Sequence, residues 1–399
     1  MNVYFSPMFK LYLLLISLIS TFLHAQQTQV IFDHYGLSAG FNSREAMDIV
    51  TTSNGMVWVS SNDGLARFDG KRFKFYKHIE GDTFSLSHNY CQALATDKRG
   101  LIWVQSDDNL DVFNPKTERF IHITHKDSAG KKQIVYPRRF SYDSASDIMW
   151  VATTRGLFYS KKGNPELHSI SELSSDKMLA SSSIGAMIPE GSGFLWVTVG
   201  NQIIKLHTAN GHTEKFTLPG KVDRFINNPA EVYFLSAYLD KNKTLWLGTM
   251  VKGLIAFNTQ AHTFHQYCFR DYTKEENTIS DIEQTQVPGQ EQTLWLTTNG
   301  YGLATFDMVT KKFTSYNSPV TNNPNGIMGT TYGMYADGKK GLWIGSSSGL
   351  HRYDYSKQIF KVIDISSIEK GTALLPVSNM AIQRNENDKD EILWFYIPY

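Results

Sequence analysis

Short apolar and aromatic runs alternate with polar turns along nearly the whole chain. Residues 91–96 form one such run, a polar turn with Gly100 follows, and a second run carries Trp103. Short runs rich in β-branched and aromatic residues, bounded by Gly, Asn, Asp or Lys, are typical of β-strands. After residue 25, no amphipathic helical stretch of about a dozen residues occurs. The pattern therefore predicts an all-β protein.

Tryptophan sets the period of this pattern. Successive tryptophans are separated by 45, 47, 46, 50, 49, 48 and 51 residues, and none falls outside the series. Spacing this regular indicates a structural repeat with one tryptophan in each unit. The eight residues are Trp58, Trp103, Trp150, Trp196, Trp246, Trp295, Trp343 and Trp394.

Each unit contains four short segments with the character of strands. The first precedes a turn, the second carries the tryptophan, the third follows a pair such as Gly64-Leu65, and the fourth carries a late aromatic such as Phe73. Four antiparallel strands in each repeat of this length are the signature of a β-propeller blade. We expect the tryptophan rings to lie between neighbouring blades, where large rings fill the wedge between stacked sheets.

Two turns of the repeat have recognisable chemistry. Where other units have Gly-Leu, the Trp103 unit has Asn109-Leu110 and the Trp196 unit has Asn201-Gln202-Ile203. Because Asn tolerates a left-handed conformation, we expect these turns to survive. An Asp six residues before the tryptophan recurs, and its carboxylate can accept hydrogen bonds from its own turn. These aspartates are Asp97, Asp240, Asp337 and Asp388.

The repeats predict a seven-bladed β-propeller of four-stranded antiparallel blades over residues 28–365. Residues 366–399 are predicted to begin a further, incomplete blade or a second propeller. Val30–Tyr35 could close the ring by adding a strand to the first or the last blade. The alternative is an eight-bladed ring, in which this strand completes the last partial unit. An unpaired half-blade would leave an exposed strand edge.

The first 25 residues predict an export signal. Lys10 precedes an apolar run from Leu11 to Phe22, and Ala25 provides a small residue for cleavage. The alternative is an uncleaved N-terminal anchor. The two cysteines, Cys91 and Cys268, fall at different repeat positions and predict no disulfide. We therefore expect an exported, periplasmic protein that does not depend on disulfides.

The charge balance limits the partners. The chain has 39 Lys and Arg against 38 Asp and Glu, a net charge of +1. A nucleic acid or an anionic membrane would favour a basic face, so neither is expected to bind this chain.

One segment matches a known repeat closely. Residues 341–350 read Gly-Leu-Trp-Ile-Gly-Ser-Ser-Ser-Gly-Leu, and residues 54–68, 99–113 and 147–159 are near matches. On these motifs the chain resembles the two-component regulator propeller repeat family, and the resemblance covers nearly the whole mature chain. Residues 31–38 also resemble the start of such sensors.

The resemblance implies a function. Full-length members of the family, abundant in Bacteroidetes, carry two seven-bladed propellers outside the cell, a small β-sandwich, a membrane span and a histidine kinase. Many of them detect oligosaccharides. The chain is therefore expected to be the extracytoplasmic ligand-sensing propeller of a hybrid two-component regulator, to bind an oligosaccharide, and to catalyse nothing itself.

The end of the chain departs from that pattern. No kinase, receiver or membrane-spanning motif follows the repeats, and the chain stops just after Trp394. We expect the front part of a longer sensor, with membrane contact only through the downstream parts, and a monomer as the chain stands.

No catalytic constellation is recognisable, and no cofactor or metal is expected. His122 and His125 are three residues apart on a predicted strand, as are His262 and His265, so the members of each pair face opposite sides and cannot share a metal. Adjacent carboxylates such as Asp107-Asp108 do not face each other across a sugar, as a glycosidase requires.

A binding site is predicted on one face of the ring. Loops before the innermost strands share this face with the loops between second and third strands, and they contain aromatic, amide and Arg side chains. Such groups suit sugar hydroxyls and uronic carboxylates. The candidates are Arg138, Arg139 and Tyr90, which lead, and His88, Asn89, Arg44, Arg155 and Tyr301. The alternative function is a secreted polysaccharide lyase or glycosidase that uses Tyr90, His88 or Arg138.

Overall fold

The structure is a computed structural model of the chain. It describes residues 30–126, 130–161, 164, 166–220, 222, 232–269, 277–299, 302–316, 326–327, 329–358, 379–384 and 391–396. The predicted signal peptide, over residues 1–25, lies outside this range. The chain divides into one unit up to Lys357 and a second from Gln358 onward.

Seven four-stranded antiparallel sheets make up the first unit, so the predicted seven-bladed propeller is confirmed. Their innermost strands contact one another in a closed circle, β2, β6, β12, β16, β20, β24, β28 and back to β2. Strands of blades 1 to 3 are β2 (Ala46–Thr51), β3 (Val57–Ser61), β4 (Gly64–Phe68), β5 (Phe73–Tyr76), β6 (Cys91–Thr96), β7 (Ile102–Ser106), β8 (Asn109–Asn114), β9 (Arg119–Ile123), β12 (Pro137–Asp143), β13 (Ile148–Thr153), β14 (Gly156–Lys161) and β15 (His168–Ser169). Strands of blades 4 to 6 are β16 (Met187–Pro189), β17 (Phe194–Val199), β18 (Gln202–His207), β19 (Thr213–Thr217), β20 (Phe234–Leu239), β21 (Thr244–Thr249), β22 (Leu254–Asn258), β23 (Thr263–Tyr267), β24 (Ile279–Glu283), β25 (Thr293–Thr298), β26 (Gly302–Asp307) and β27 (Phe313–Ser315).

The seventh blade joins the two ends of the ring. It contains β28 (Thr331–Ala336), β29 (Gly341–Ser346), β30 (Gly349–Asp354) and, as its outermost strand, β1 (Phe32–Tyr35). Strand β1 pairs antiparallel with β30, with Phe32 opposite Tyr353 and Tyr35 opposite Leu350. The N-terminal strand therefore completes the last of seven blades, and the alternative eight-bladed ring is wrong.

The remaining elements of the described residues are short. They are β10 (His125–Lys126), β11 (Lys132–Gln133), two 3-10 helices η1 (Leu37–Ala39) and η2 (Ile170–Glu172), and two helices α1 (Lys177–Ser181) and α2 (Tyr355–Gln358). In the second unit, β31 (Asn379–Arg384) and β32 (Glu391–Tyr396) form an antiparallel pair. That this pair begins an eighth blade stays a prediction.

The core consists of seven apolar clusters, one at each junction between consecutive blades. Each cluster contains the tryptophan of one blade and residues of the next: Trp58 packs with Ile102 and Phe113 of blade 2. At the closing junction, Trp343 of blade 7 packs with Val57 and Phe68 of blade 1. The predicted position of the tryptophans between neighbouring blades is confirmed.

The turns follow the repeat with one correction. Gly64 has φ 109°, and a Cβ there would collide with the Tyr76 carbonyl, so the Gly-Leu pair needs its glycine. In the two units without that glycine, the left-handed residues are Asp107 and Gly200, each with φ 55°. Asn109 and Asn201 do not have positive φ, because a turn residue two positions before Asn109 and one position before Asn201 takes that conformation instead.

The recurring aspartates act on their own turns as predicted in two blades. Asp97 Oδ1 accepts the Arg99 N–H at 2.9 Å, and Asp240 Oδ1 accepts the Asn242 N–H at 2.8 Å. The second oxygen of Asp240 accepts the indole N–H of Trp246 at 2.9 Å. The turn therefore also fixes the ring that fills the junction between blades.

Candidate functional site

The two sets of loops named by the sequence share one face of the ring, which we call the upper face. The backbone N–H of Asp107, in a hairpin between second and third strands, donates to the Tyr90 carbonyl just before an inner strand at 2.8 Å. Equivalent bonds join Met250 to Tyr233 and Ser347 to Thr330, both at 2.9 Å. The innermost strands therefore start at the upper face and run away from it.

Near that face, the innermost strands of six blades carry a β-bulge. In β12, Pro137 pairs with Thr153 and Arg139 with Ala152, which leaves Arg138 unpaired between them. A bulge changes the direction of the side chains that it carries. Arg138 is exposed, as a ligand contact on this face must be.

Tyr90 belongs to a chain of side-chain hydrogen bonds at the upper face. Gln105 Nε2 donates to Gln92 Oε1 at 2.7 Å, and Gln92 Nε2 donates to the Tyr90 hydroxyl oxygen at 2.9 Å. Because the hydroxyl accepts from Gln92, its own proton is left to donate elsewhere. The arrangement fixes Tyr90 as a hydrogen-bond donor beside the start of β6.

Residues of blades 7 and 1 lie beside Tyr90. Burial raises the pKa of Tyr332, on β28, and the nearby charges of Glu45 and Tyr90 add to that rise. Tyr332, Glu45 and Tyr90 stand at or just before the upper ends of the innermost strands of three consecutive blades, near enough for their charges to act on Tyr332. The loop positions of Glu45 and Tyr90 are visible in the sequence, whereas Tyr332 is on a strand and gives no such signal.

Arg155 lies on the upper face of blade 3. Its guanidinium stacks over the ring of Tyr136 at 4.4 Å from the ring centre. Tyr136 has φ 53° and its N–H donates to the Asp108 carbonyl at 3.2 Å, so the ring is held by an unusual backbone. A planar cation on an aromatic ring, both reachable from solvent, suits a sugar or a carboxylate.

The other predicted binding residues contribute less to the polar surface of the upper face. His88 Nδ1 accepts the Tyr90 N–H at 3.1 Å, and Asn89 Oδ1 accepts the His78 N–H at 2.7 Å, so both shape their own loop. Arg44 is exposed in the loop before β2. Tyr301 lies outside the described residues.

Arg139 belongs to a second set of polar residues, which lie on the innermost strands one level below the upper face. We call this level the lower tier. Arg139 pairs with Ala152, two residues after Trp150, and Asp281 pairs with Thr297, two residues after Trp295. Asp48 stands at the same level, because its N–H donates to Ser60 Oγ at 2.9 Å, two residues after Trp58. Three charged side chains therefore lie on innermost strands at one height.

The two aspartates of this tier are held by equivalent contacts. Asp48 Oδ1 accepts the N–H of Ile49 on its own strand, and Oδ2 accepts the N–H of Leu94 on the next blade, both at 2.8 Å. Asp281 likewise accepts from Ile282 at 2.9 Å and from Met334 of blade 7 at 2.8 Å. Each carboxyl group thus joins two blades at the axis.

The axis environment shifts the pKa of every charged group there. Burial raises the pKa of Asp48 to about 7, and the charge of Asp281 adds to the rise, against hydrogen bonds from Leu94 and Ile49. Burial also raises the pKa of Asp281, and it raises that of Glu283 well above its usual value, with further rises from Asp281 and Asp48. Burial lowers the pKa of Arg139, whose guanidinium nevertheless stays protonated.

We expect Glu283→Gln to stabilise the protein at neutral and alkaline pH. A carboxyl group with a raised folded-state pKa contributes stability below its unfolded pKa, and that contribution is lost as pH rises through the folded pKa. The loss has a limiting slope of about 1.4 kcal/mol per pH unit. Urea unfolding from pH 4 to pH 9 should show that the free energy of unfolding of the variant increases relative to that of the wild type as pH rises. The control is Glu214→Gln, an exposed carboxylate on β19, and equal pH profiles for both variants would contradict the expectation.

The described residues contain no group of three His, Cys, Asp or Glu side chains placed to hold a metal ion. No helix among them has the length and apolar character needed to cross a membrane. The arrangement offers instead guanidinium groups, tyrosine hydroxyls and half-buried carboxyl groups of raised pKa. These groups can recognise a ligand rich in hydroxyls and carboxylates by hydrogen bonding.

Comparison with known proteins agrees with the predicted resemblance. The extracellular domain of BT3049, assigned to a hybrid two-component system of B. thetaiotaomicron, has a TM-score of 0.63 at 20% identity, over 92% of this chain and 46% of that one. Histidine kinase P4 from Formosa agariphila is 32% identical over 74 residues, which are 18% of this chain and 5% of that protein. The resemblance to the extracellular propellers of two-component systems is thus confirmed at the level of the fold. No family model matches the chain.

Propellers of another kind share the fold. Virginiamycin B lyase from Staphylococcus aureus has a TM-score of 0.57 at 13% identity, over 78% of this chain and 95% of that one. The chain spans less than half of the BT3049 domain and a small part of the kinase. At these identities the structural comparisons establish the fold, and the function follows from the site.

Proposed function

We propose that this chain is the periplasmic, ligand-recognising propeller of a two-component sensor, that it binds an oligosaccharide at the upper face, and that it has no catalytic activity. The observation that carries the proposal is the set of polar side chains at the upper face, where Gln105 and Gln92 orient the Tyr90 hydroxyl as a donor near Glu45 and Tyr332. Arg138 and the Arg155–Tyr136 stack extend this polar surface over blade 3. Likeness in fold to a sensor's extracellular domain supports the same function.

The proposal predicts binding without turnover. Isothermal calorimetry against a panel of neutral and acidic oligosaccharides should detect at least one ligand. Tyr90→Phe removes the hydroxyl donor that Gln92 orients. We expect this variant to bind the saccharide about tenfold more weakly, because a lost hydrogen bond to a ligand costs about 1–1.5 kcal/mol. The matched control is Tyr355→Phe in α2, whose N–H bonds to the Lys340 turn on the opposite face. A panel without any binding saccharide would overturn the proposal.

The second candidate function is a propeller enzyme that cleaves an acidic polysaccharide. Carboxyl groups of raised pKa beside Arg139 favour it, because such groups can act as general acids near neutral pH. The lyase with the same fold also favours it. Incubation with the bound saccharide, followed by chromatography, separates the two functions. An intact saccharide after prolonged incubation supports the sensor, and shorter or unsaturated products that disappear in Arg138→Met support the enzyme.

A further inference from the structure

A belt of seven residues circles the ring axis at the level of Arg139. In blades 3, 5 and 6, the belt residue lies on the innermost strand opposite the residue two positions after the tryptophan, as Ser236 does opposite Gly248. In blades 1, 2 and 7 it is the residue of the register shift immediately before the next pair, and in blade 4 it is Ala186, just before β16, whose carbonyl accepts the Thr198 N–H at 2.9 Å. Three belt residues are charged, and four are small. The belt consists of Asp48, Ala93, Arg139, Ala186, Ser236, Asp281 and Gly333.

The small residues allow neighbouring blades to pack closely at this level. A Cβ on Gly333 would lie 2.8 Å from both Asp48 Oδ1 and the Met47 carbonyl, so blade 7 approaches blade 1 too closely for any larger residue. Ser236 Oγ donates to the Ile279 carbonyl of the next blade at 3.4 Å and so lies against that strand. Long side chains therefore extend from blades 1, 3 and 6 alone.

The charges of the belt face each other without pairing. Arg139 is on blade 3, Asp281 is on blade 6, and Asp48 is on blade 1, two blades from each of them. Glu283 lies two residues after Asp281 on the same strand. The charges of these residues act on each other, yet among the ion pairs of the described residues none joins Arg139 to a carboxylate within 4 Å. Backbone N–H groups of adjacent blades hold Asp48 and Asp281 in place, and solvent reaches all four side chains.

We propose that the belt, together with Glu283 two residues after Asp281 on β24, binds one uronate unit of the ligand, with its carboxylate on Arg139 and its hydroxyls on Asp48, Asp281 and Glu283. This inference rests on the proposed function and specifies the chemical class of the ligand. A guanidinium binds a carboxylate through two parallel hydrogen bonds, and carboxyl groups accept hydrogen bonds from sugar hydroxyls. A uronate carries both groups on one ring, which matches a cation opposite a set of carboxyl groups.

Binding of this kind should be linked to protons. The ligand's carboxylate brings a negative charge close to Asp48, whose pKa burial raises to about 7, and to Asp281 and Glu283, whose pKa values are also raised. That charge raises their pKa further, so protons are taken up when the ligand binds. Affinity should therefore fall as pH rises above 7, and a neutral ligand should show no such dependence.

The test uses trigalacturonate and its methyl ester, which lacks the carboxylate charges. Calorimetry should show that the wild type binds trigalacturonate at least about tenfold more tightly than the ester, as expected for a charge-assisted pair. Arg139→Met should remove that preference. Arg72→Met, on an exposed turn of the opposite face, should leave it unchanged. Calorimetry in two buffers of different ionisation enthalpy should show proton uptake that Glu283→Gln reduces.

The outcomes separate the inference from the proposed function. Tight binding of the ester, or trigalacturonate binding that is the same in Arg139→Met and wild type, overturns the uronate belt and leaves an upper-face sensor intact. Binding of neutral saccharides alone does the same. Absence of any saccharide binding overturns both. A folded Arg139→Met, checked by its tryptophan emission, is required, and Arg139→Lys provides a second variant that keeps the charge and loses the paired geometry.

Discussion

A chain that begins at residue 37 should lose cooperative unfolding and melt at a much lower temperature than one that begins at residue 26. Only the longer chain keeps β1, which forms the outer edge of the seventh blade. Phe32 is 4% exposed and packs with the Trp295 cluster, and Tyr35 lies 5.7 Å from Trp343 between ring centres. Loss of a buried Phe alone costs about 3–5 kcal/mol.

The expected fall in melting temperature is on the order of 10 °C or more. A loss of about 5 kcal/mol in the free energy of unfolding lowers the melting temperature of a large domain by about 2 °C for each kcal/mol. Tryptophan emission follows the transition directly, since the rings lie at the junctions between blades. Phe32→Ala isolates the packing contribution from the strand pairing. Equal melting temperatures for the two chains would show that the ring closes without β1.

The expected severity follows from the closed circle. In an open row of blades, the blade at each end has one free face, whereas each blade of this ring packs on two neighbours. Loss of β1 leaves the outer edge of blade 7 unpaired and uncovers the junction with blade 1, where Trp343 meets Phe68. An exposed strand edge also favours association between chains, so light scattering on heating should rise earlier for the shorter chain.

The tryptophan period predicted most of the fold because it reports a packing requirement. A ring wedged between two sheets must recur once per blade, so Trp58 to Trp343 identify seven blades and their junctions. The partner of β1 could not be predicted in the same way. Strand character in Val30–Tyr35 is equally compatible with either end of the ring, and the choice depends on how many blades close the circle.

The sequence indicated which polar residues lie at the upper face, and only partly which charged residues share the level of Arg139; that these residues bind a ligand stays a prediction. Tyr90 and Arg138 lie in or beside loops, where exposed polar residues are noticeable. Asp48 and Asp281 lie on strands and read as isolated charges in apolar runs. Asp48, Ser236 and other belt residues stand ten residues before their tryptophan, but longer hairpins put Arg139 eleven and Asp281 fourteen residues before it. Alignment by strand register, which the sequence does not contain, is needed to bring them to one level.

The two tiers together explain why the charge pattern is asymmetric around a nearly repetitive scaffold. A ring of equivalent blades gives equivalent positions, and packing is satisfied by small residues such as Ala93 or Gly333. Asp48 and Arg139 instead carry charges that burial makes costly. Asp48 and Asp281 recover part of that cost by accepting backbone N–H groups of two adjacent blades, whereas no ion pair of the described residues joins Arg139 to a carboxylate, which makes Arg139 the residue of this level that the proposed ligand would engage.

Acid should destabilise the closed ring through one histidine. His351, on β30, is 2% exposed, and its Nδ1 lies 2.6 Å from Nδ1 of His34 on β1, while its Nε2 contacts Ser346 Oγ at 2.7 Å. Burial, and then the charge of His34, lower the pKa of His351 to about 3. The folded ring therefore holds a neutral imidazole at pH values where an unfolded chain is protonated.

The sign of the effect follows from this depressed pKa. The unfolded state takes up a proton below its ordinary pKa of about 6.5, and the folded state does so only near pH 3, so stability is lost progressively as pH falls between these values. At pH 5 the loss is about 2 kcal/mol. His351→Gln should abolish this part of the acid sensitivity, measured by urea unfolding from pH 4 to pH 7.5. His212→Gln, an exposed histidine between β18 and β19, should keep the wild-type slope. If the free energy of unfolding falls equally with decreasing pH in all three proteins, His351 is protonated in the folded ring and the β1–β30 junction is insensitive to acid.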